Sequence, residues 1–410
     1  MKRWLVLFED EVWGTLAPLT DLVPVPALAF GGSTLATRWR SAAGLRLIGV
    51  HLARDRAQLR TEPFESNFSG PAERDELLLV NAAVLPGEWF AAALGDVGPA
   101  CFTSDDRVVL ARLPAGQARP MLEGGTSVSR AIAALALPAR SVAARFLAHP
   151  WDLIEANAAA IGIDLAGPPG ANRGQVDARA CLIEPQRITV ENGAVVDPLA
   201  VLDARGGPIS IGAGARIRAH TLVEGPCAIG AGTELLGGRI ARSTIGPHCR
   251  IAGEVEECIW QGFANKRHHG FVGHSVIGEW VNLGALTTTS DLKNNYGAVR
   301  VWTAAGERDS GSNKVGAFIG AHVKTGIGTL LPTGASVGTG ANLFGGGRFA
   351  PKRVPSFGWW NGERMAEHQF EKFLDTARHA MHRRGESLSE AGVEALRKCF
   401  DATRAERQPQ

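Results

Sequence analysis

At 410 residues the chain is far longer than one domain of roughly 150 residues needs, so several parts are expected. Its 43 Lys and Arg nearly balance 41 Asp and Glu, which argues against nucleic-acid binding by bulk charge. No apolar run approaches the roughly 20 residues of a membrane span, and six scattered cysteines without a C-x-x-C pair suit reduced thiols, so a cytoplasmic protein is expected.

Residues 1–147 mix short β-rich runs (Leu5 to Phe8, Leu45 to Val50, Leu77 to Val80, Val108 to Leu110) with alanine-rich helical spacing over 127–147, which predicts a short α/β domain. A linker over 148–180 holds a predicted helix, Asp152 to Ile161, and the turn-rich Ala166-Gly167-Pro168-Pro169-Gly170.

Glycine then becomes frequent: 29 of the 50 lie between 201 and 350. Ile211, Ile217, Val223, Ile229 and Leu235 are six apart, and Ala215, Thr221, Cys227 and Thr233 stand four after the first four. The beat recurs at Val190, Val196 and Leu202, at Ile277 and Leu283, and from Ile319 through Thr325, Leu331 and Val337 to Leu343. Six-residue units of one aliphatic side chain, one small side chain and a turn residue build a parallel β-helix, predicted here over 181–350. The beat fails over 288–314, which predicts a loop excursion, and solenoid loops often carry function. Over 351–410 the stripe Phe370, Phe373, Leu374, Ala377 and Met381 predicts one helix, and a capping box from Ser387 to Glu390 a second.

Histidines cluster in Asn265-Lys266-Arg267-His268-His269-Gly270-Phe271-Val272-Gly273-His274, and the single tyrosine, Tyr296, sits in the excursion. Three imidazoles within seven residues invite a general base or a metal site. His269 and His274 have a spacing that suits two zinc ligands.

The pieces Glu-Val-Glu, His-x-Gly-Phe, Ile-Gly-Glu-Trp-Val-Asn-Leu-Gly-Ala and Lys-Asn-Asn-Tyr-Gly, from Gly253 to Gly297, resemble the bifunctional N-acetylglucosamine-1-phosphate uridylyltransferase / glucosamine-1-phosphate acetyltransferase family, in its divergent bacterial sugar nucleotidyltransferase-like branch. The resemblance implies a left-handed parallel β-helix, a homotrimer with the site between subunits, and acetyl-CoA as co-substrate for N-acetylation of an amino sugar phosphate or nucleotide amino sugar. It places His268 on the catalytic base, Asn282 on a sugar contact, Ala285 on the backbone N–H facing the thioester oxygen, and Asn295 and Tyr296 in the acetyl-CoA pocket. Arg239, Arg242, Lys293 and Arg300 are candidate phosphate cations. Phe271 and Glu256 stand where the classical enzymes have tyrosine and a phosphate-binding lysine, so a different acceptor is expected.

Gly14-Thr15-Leu16-Ala17-Pro18-Leu19-Thr20 resembles the nucleotidyltransferase signature, yet Phe8-Glu9-Asp10-Glu11 is acidic where phosphates need amides, and Val23 and Val25 replace its Arg and Lys. Weak or lost uridylyl transfer is expected, with Mg2+ needed only if this domain is active. The alternatives are a γ-carbonic-anhydrase-like zinc enzyme on the same β-helix, a silent scaffold, and a bifunctional enzyme that keeps both activities.

Overall fold

The computed structural model describes residues 2–52, 59, 68, 70–95, 98–124, 127–167 and 170–407; the predicted turn at Pro168 and Pro169 lies outside them. The chain divides into two compact units. Residues 2–14, 23–28 and 33–148 form the first, and residues 15–22, 29–32 and 149 onward the second.

The first unit is built on a six-stranded mixed sheet in the order Leu47–His51, Arg3–Phe8, Glu76–Asn81, Arg107–Pro114, Ala100–Ser104, Ala139–Ser141. The central strand Glu76–Asn81 is buried along its whole length, as expected of a strand covered on both faces. Helices α1 (Leu35–Ala43), α2 (Glu88–Gly95), α3 (Ala115–Glu123) and α4 (Val128–Ala134) complete the unit. The helical stretch expected over 127–147 is shorter than its composition suggests. Pro138 cannot continue a helix, α4 ends at Ala134, and Ala139–Ser141 joins the sheet edge as a strand parallel to Ala100–Ser104.

The second unit is a parallel β-helix, with coils of three short strands stacked into three faces. Face A carries Gln175–Val176, Val195–Val196, Arg216–Ile217, Glu234–Leu235, Arg250–Ile251, Asn265–Lys266, Lys324–Thr325, Asn342–Leu343 and Gly358–Trp360. Face B follows in each coil, from Cys181–Ile183 to Phe271–Gly273. Face C is a continuous nine-stranded sheet from Ile188–Val190 to Arg353–Val354. The coils thus run from Gln175 to Trp360, past both ends of the 181–350 span.

Where the six-residue beat is regular, partners are 18 residues apart, as in Ile217 with Leu235 and Ile319 with Val337. Between 235 and 266 the coils tighten: Leu235 pairs Ile251 and Ile251 pairs Lys266, 16 and 15 residues on. The aliphatic positions fill a single core, with Ile211, Ile217, Val223 and Leu235 fully buried. The small positions are more than spacers. The Thr233 hydroxyl donates to the Gly246 carbonyl (2.7 Å) and accepts from the Cys249 N–H (3.0 Å), stitching one coil to the next.

Helix α5 (Pro150–Asp164) lies on face C, where Asn157 Oδ1 accepts from the Thr244 hydroxyl (2.7 Å) and the Gly31 N–H (2.7 Å). Helices α6 (Phe370–His382) and α7 (Glu390–Ala402) share an apolar core with Phe357 of the last corner. The cap of α7 is Ser389, whose hydroxyl accepts from the Gly392 N–H, two residues after the expected Ser387. No helix among the described residues is long and apolar enough to cross a membrane.

Thr233→Val keeps the volume but orphans a buried carbonyl and a buried N–H. We expect a loss of about 1–3 kcal/mol, read as a lowered thermal midpoint; an unchanged midpoint would show that the stitch contributes nothing.

Candidate active site on the β-helix

The corner between faces A and B carries the predicted base. His268 is exposed there, and the coil above it is in register, since the Leu286 N–H donates to the His269 carbonyl (2.9 Å). Ala285 therefore lies one coil above His268. Its carbonyl accepts from the Gly328 N–H (2.8 Å), while its own N–H makes no hydrogen bond among the described residues. Such an N–H can receive a ligand oxygen. Gly270 closes the corner at φ +133°, and a Cβ there would lie 2.3 Å from the Thr287 carbonyl oxygen, so only glycine fits.

What holds this corner is Lys266, which the sequence reading passed over. It occupies the interior column between Ile251 and Leu283, where the two neighbouring coils have isoleucine and leucine, and it is fully buried. Its ammonium donates to the carbonyls of Ala252 (3.0 Å), His268 (2.9 Å) and Gly270 (2.8 Å). Burial pushes Lys266 down to about 8; three acceptors for three N–H donors hold the charged form in place. The backbone of the histidine corner is thus pinned from inside the prism.

Asn282 lies on face A, its Oδ1 accepting from Asn265 Nδ2 (2.7 Å). Asn295, Tyr296 and Lys293 lie elsewhere. Their loop leaves the corner between faces B and C after Thr289 and returns at Val315, carrying the hairpin Arg300–Thr303 with Gly306–Asp309. Within one chain the loop does not leave from the corner that carries His268. Tyr296 is 70 % exposed, Asn295 Oδ1 caps the Gly297 N–H (3.1 Å), Lys293 Nζ donates to the Ala298 carbonyl, and Arg300 pairs with Glu307 (3.3 Å).

His274, at the root of this loop, is held through Nδ1 by Asp291 (2.7 Å). His274 also accepts at its carbonyl from Gly316, and Asp291 from Val315, so the pair fastens both ends of the excursion. Among the described residues no three His, Cys, Asp or Glu side chains gather as a metal-ligating group.

Arg239 is on face B and Arg242 at the corner that follows it, and carboxylates already engage both. Arg239 binds Glu224 and Glu256 (3.0 Å), and Arg242 binds Glu256 and Glu257. With Glu254 3.6 Å from Arg239, four carboxylates face two guanidiniums.

Residues 5–167 match the sugar nucleotidyl transferase family model. The chain is 38% identical over 93 residues to a bifunctional sugar-1-phosphate nucleotidylyltransferase/acetyltransferase of Sulfurisphaera tokodaii, covering 23% of each protein. It is 26% identical over 199 residues to the bifunctional protein GlmU of Methanococcus aeolicus, covering 47% of this chain and 41% of that one. Parts of the chain are thus similar to a sugar nucleotidyl transferase domain and to bifunctional GlmU-type proteins. The matches span about a quarter to two fifths of the length of these two curated relatives. Among solved structures, LpxA from Acinetobacter baumannii aligns over 57% of this chain and 90% of its own, at 15% identity and a TM-score of 0.28.

The acidic run of the N-terminal unit is used structurally. The Glu9 carboxylate accepts from the Val25 N–H (2.8 Å). Asp10 pairs with Arg107 (2.8 Å) and accepts from Asn81 (2.8 Å), and Glu11 pairs with Arg130 (3.1 Å). Glu9 and Asp10 are buried, so the segment fastens neighbouring loops with carboxylates.

Lys266→Met removes the donor for three carbonyls, which we expect to cost about 3 kcal/mol or more. Hydrogen exchange should rise selectively in amides 267–270; unchanged protection there would show that the corner does not depend on the ammonium.

Proposed function

We propose that the β-helix is an acetyl-CoA-dependent N-acetyltransferase acting on an amino sugar phosphate or nucleotide amino sugar, with His268 as general base. The observation that carries this reading is the registered corner: an exposed imidazole on one coil and the unpartnered Ala285 N–H on the next. The sugar amine attacks the thioester carbonyl, forming the C–N bond as its proton passes to the imidazole. The carbonyl oxygen gathers negative charge opposite the Ala285 N–H. Collapse of the adduct breaks the C–S bond, and the proton leaves with the thiolate as the free thiol. Asn282 orients the sugar from face A.

Asn295 and Tyr296 serve this reaction from a second copy in a homotrimer, which fits an exposed tyrosine on a loop leaving another corner. Leu286 (58 % exposed), Ile327 (72 %) and Phe349 (61 %) present apolar surface on the side of His268, as an interface between copies would require.

For the N-terminal unit we propose weak or absent nucleotidyl transfer. Its acidic run is committed to internal amides and arginines, whereas a triphosphate needs free backbone N–H groups and cations. Mg2+ would be required only for residual activity there.

Thiol release from acetyl-CoA should depend on an amino-sugar acceptor and fall 10²–10⁴-fold in His268→Ala, the usual range for a lost general base. Turnover unchanged in that variant would overturn the assignment of the base. A silent scaffold predicts no acceptor-dependent release at all.

A further inference from the structure

A cleft of about 660 Å³ lies between face A and α6, on the opposite side of Asn282 from the histidine corner in chain order. Arg250 and Lys324 reach it from the β-helix, and Arg383 and Arg384 from the end of α6. Phe263 and Trp280 supply a planar apolar wall, their rings stacked 4.4 Å apart.

The charges of this cleft are not balanced within the protein. Lys324 donates to the Trp280 carbonyl (2.6 Å) and Arg384 to the His248 carbonyl (3.0 Å); none of the four cations forms an ion pair with a carboxylate among the described residues. The one carboxylate in the lining, Asp375, faces Arg378 at 3.6 Å. Glu279, next to Trp280, is pushed toward its neutral form by burial. Burial, then the neighbouring Arg250 and Arg383, hold Arg384 below the ordinary arginine range. Cations gathered at this cost are what a phosphate site requires.

We propose that the cleft binds a nucleoside diphosphate, its phosphates held by Arg250, Lys324, Arg383 and Arg384 and its base or ribose against Phe263 and Trp280. The proposal deepens the acetyl-transfer reading, because Asn282 lines the same cleft. It puts the phosphate end of the acceptor on face A, where the charge is uncompensated. Face B, where Glu256 replaces the family's phosphate-binding lysine, is left acidic. Coenzyme A also carries a nucleoside diphosphate, so two sources share this chemistry.

The test is calorimetric titration of the full-length protein with UDP and, separately, with coenzyme A. Wild type is compared with R250Q/R384Q, with the exposed single variant R383Q, and with R216Q as a control far along the β-helix. We expect the UDP Kd to rise tenfold or more in the double variant, less in R383Q and not in R216Q, with added salt weakening the wild type. A selective loss for coenzyme A instead would support the site and assign it to the acetyl donor. Affinities for both ligands within twofold of wild type in folded R250Q/R384Q, or no wild-type binding of either, would overturn the proposal. Binding is read without turnover, so a His268→Ala result against the acetyl-transfer reading leaves this outcome separately decidable.

Discussion

Stacking register is the constraint on which the β-helix depends. Each coil hydrogen-bonds only to the coils beside it, so a side chain pointing inward must sit over one pointing inward below. The columns Ile209 to Cys227 and Ile211 to Ile229 on face C obey this with apolar or small residues. Hydroxyls at the small positions add polar stitches: Ser243 donates to the Ala241 carbonyl and accepts from the Cys258 N–H, and Ser275 repeats the arrangement with Gly273 and Ala317. An interior this regular leaves little room for a charge. Lys266 is tolerated because its ammonium meets three carbonyls at the corner that carries the exposed His268.

The same constraint explains what could and could not be read in the chain. From Ile211 to Leu235 and from Ile319 to Leu343 the coils keep 18-residue spacing, and the coil before them is three residues longer, with Val190 paired to Ile211; aliphatic residues still recur every six positions within each stretch, and the β-helix is legible. Between 235 and 266 the coils shorten to 15 or 16 residues and the beat disappears, although the core continues through Ile245, Ile251 and Trp260. A lysine inside such a coil looks like one more surface cation, because nothing local distinguishes it. Ala285 and Asn282 were legible as a motif; that the Ala285 N–H is unpartnered depends on the coil above. The helical stripe from Phe370 to Ala377 was equally plain, but not its seat beside face A, which is decided by residues about a hundred positions earlier.

Turns show a related economy. The corner between faces C and A takes left-handed backbone at His248, Phe263, Trp280, His322 and Phe357 rather than at glycine alone. Such conformations cost a non-glycine residue stability, and here the side chains recover part of it by stacking: His248 on Phe263 at 4.9 Å, Phe263 on Trp280 at 4.4 Å, Trp280 on His322 at 6.3 Å. The column then meets Phe373 of α6 edge-on at 5.9 Å. Aromatic corners thus provide the surface on which the C-terminal helix docks, and the helix in turn walls the basic cleft.

The two long faces beside the histidine corner consequently carry opposite charge. On face B and the corner that follows it, Glu224, Glu254, Glu256 and Glu257 outnumber Arg239 and Arg242, so a phosphate approaching there would compete with carboxylates already in place. On face A, Arg250 and Lys324 have no carboxylate partner, and α6 adds two more guanidiniums rather than a counter-charge. Glu256 adds to the negative potential on face B, and the α6 arginines place the favourable potential on the other side of the corner. Under the proposed acetyl transfer, an amino sugar at His268 would point its phosphate toward Asn282 and the cleft. The C-terminal helix thus shapes the potential beside this corner as much as the β-helix does.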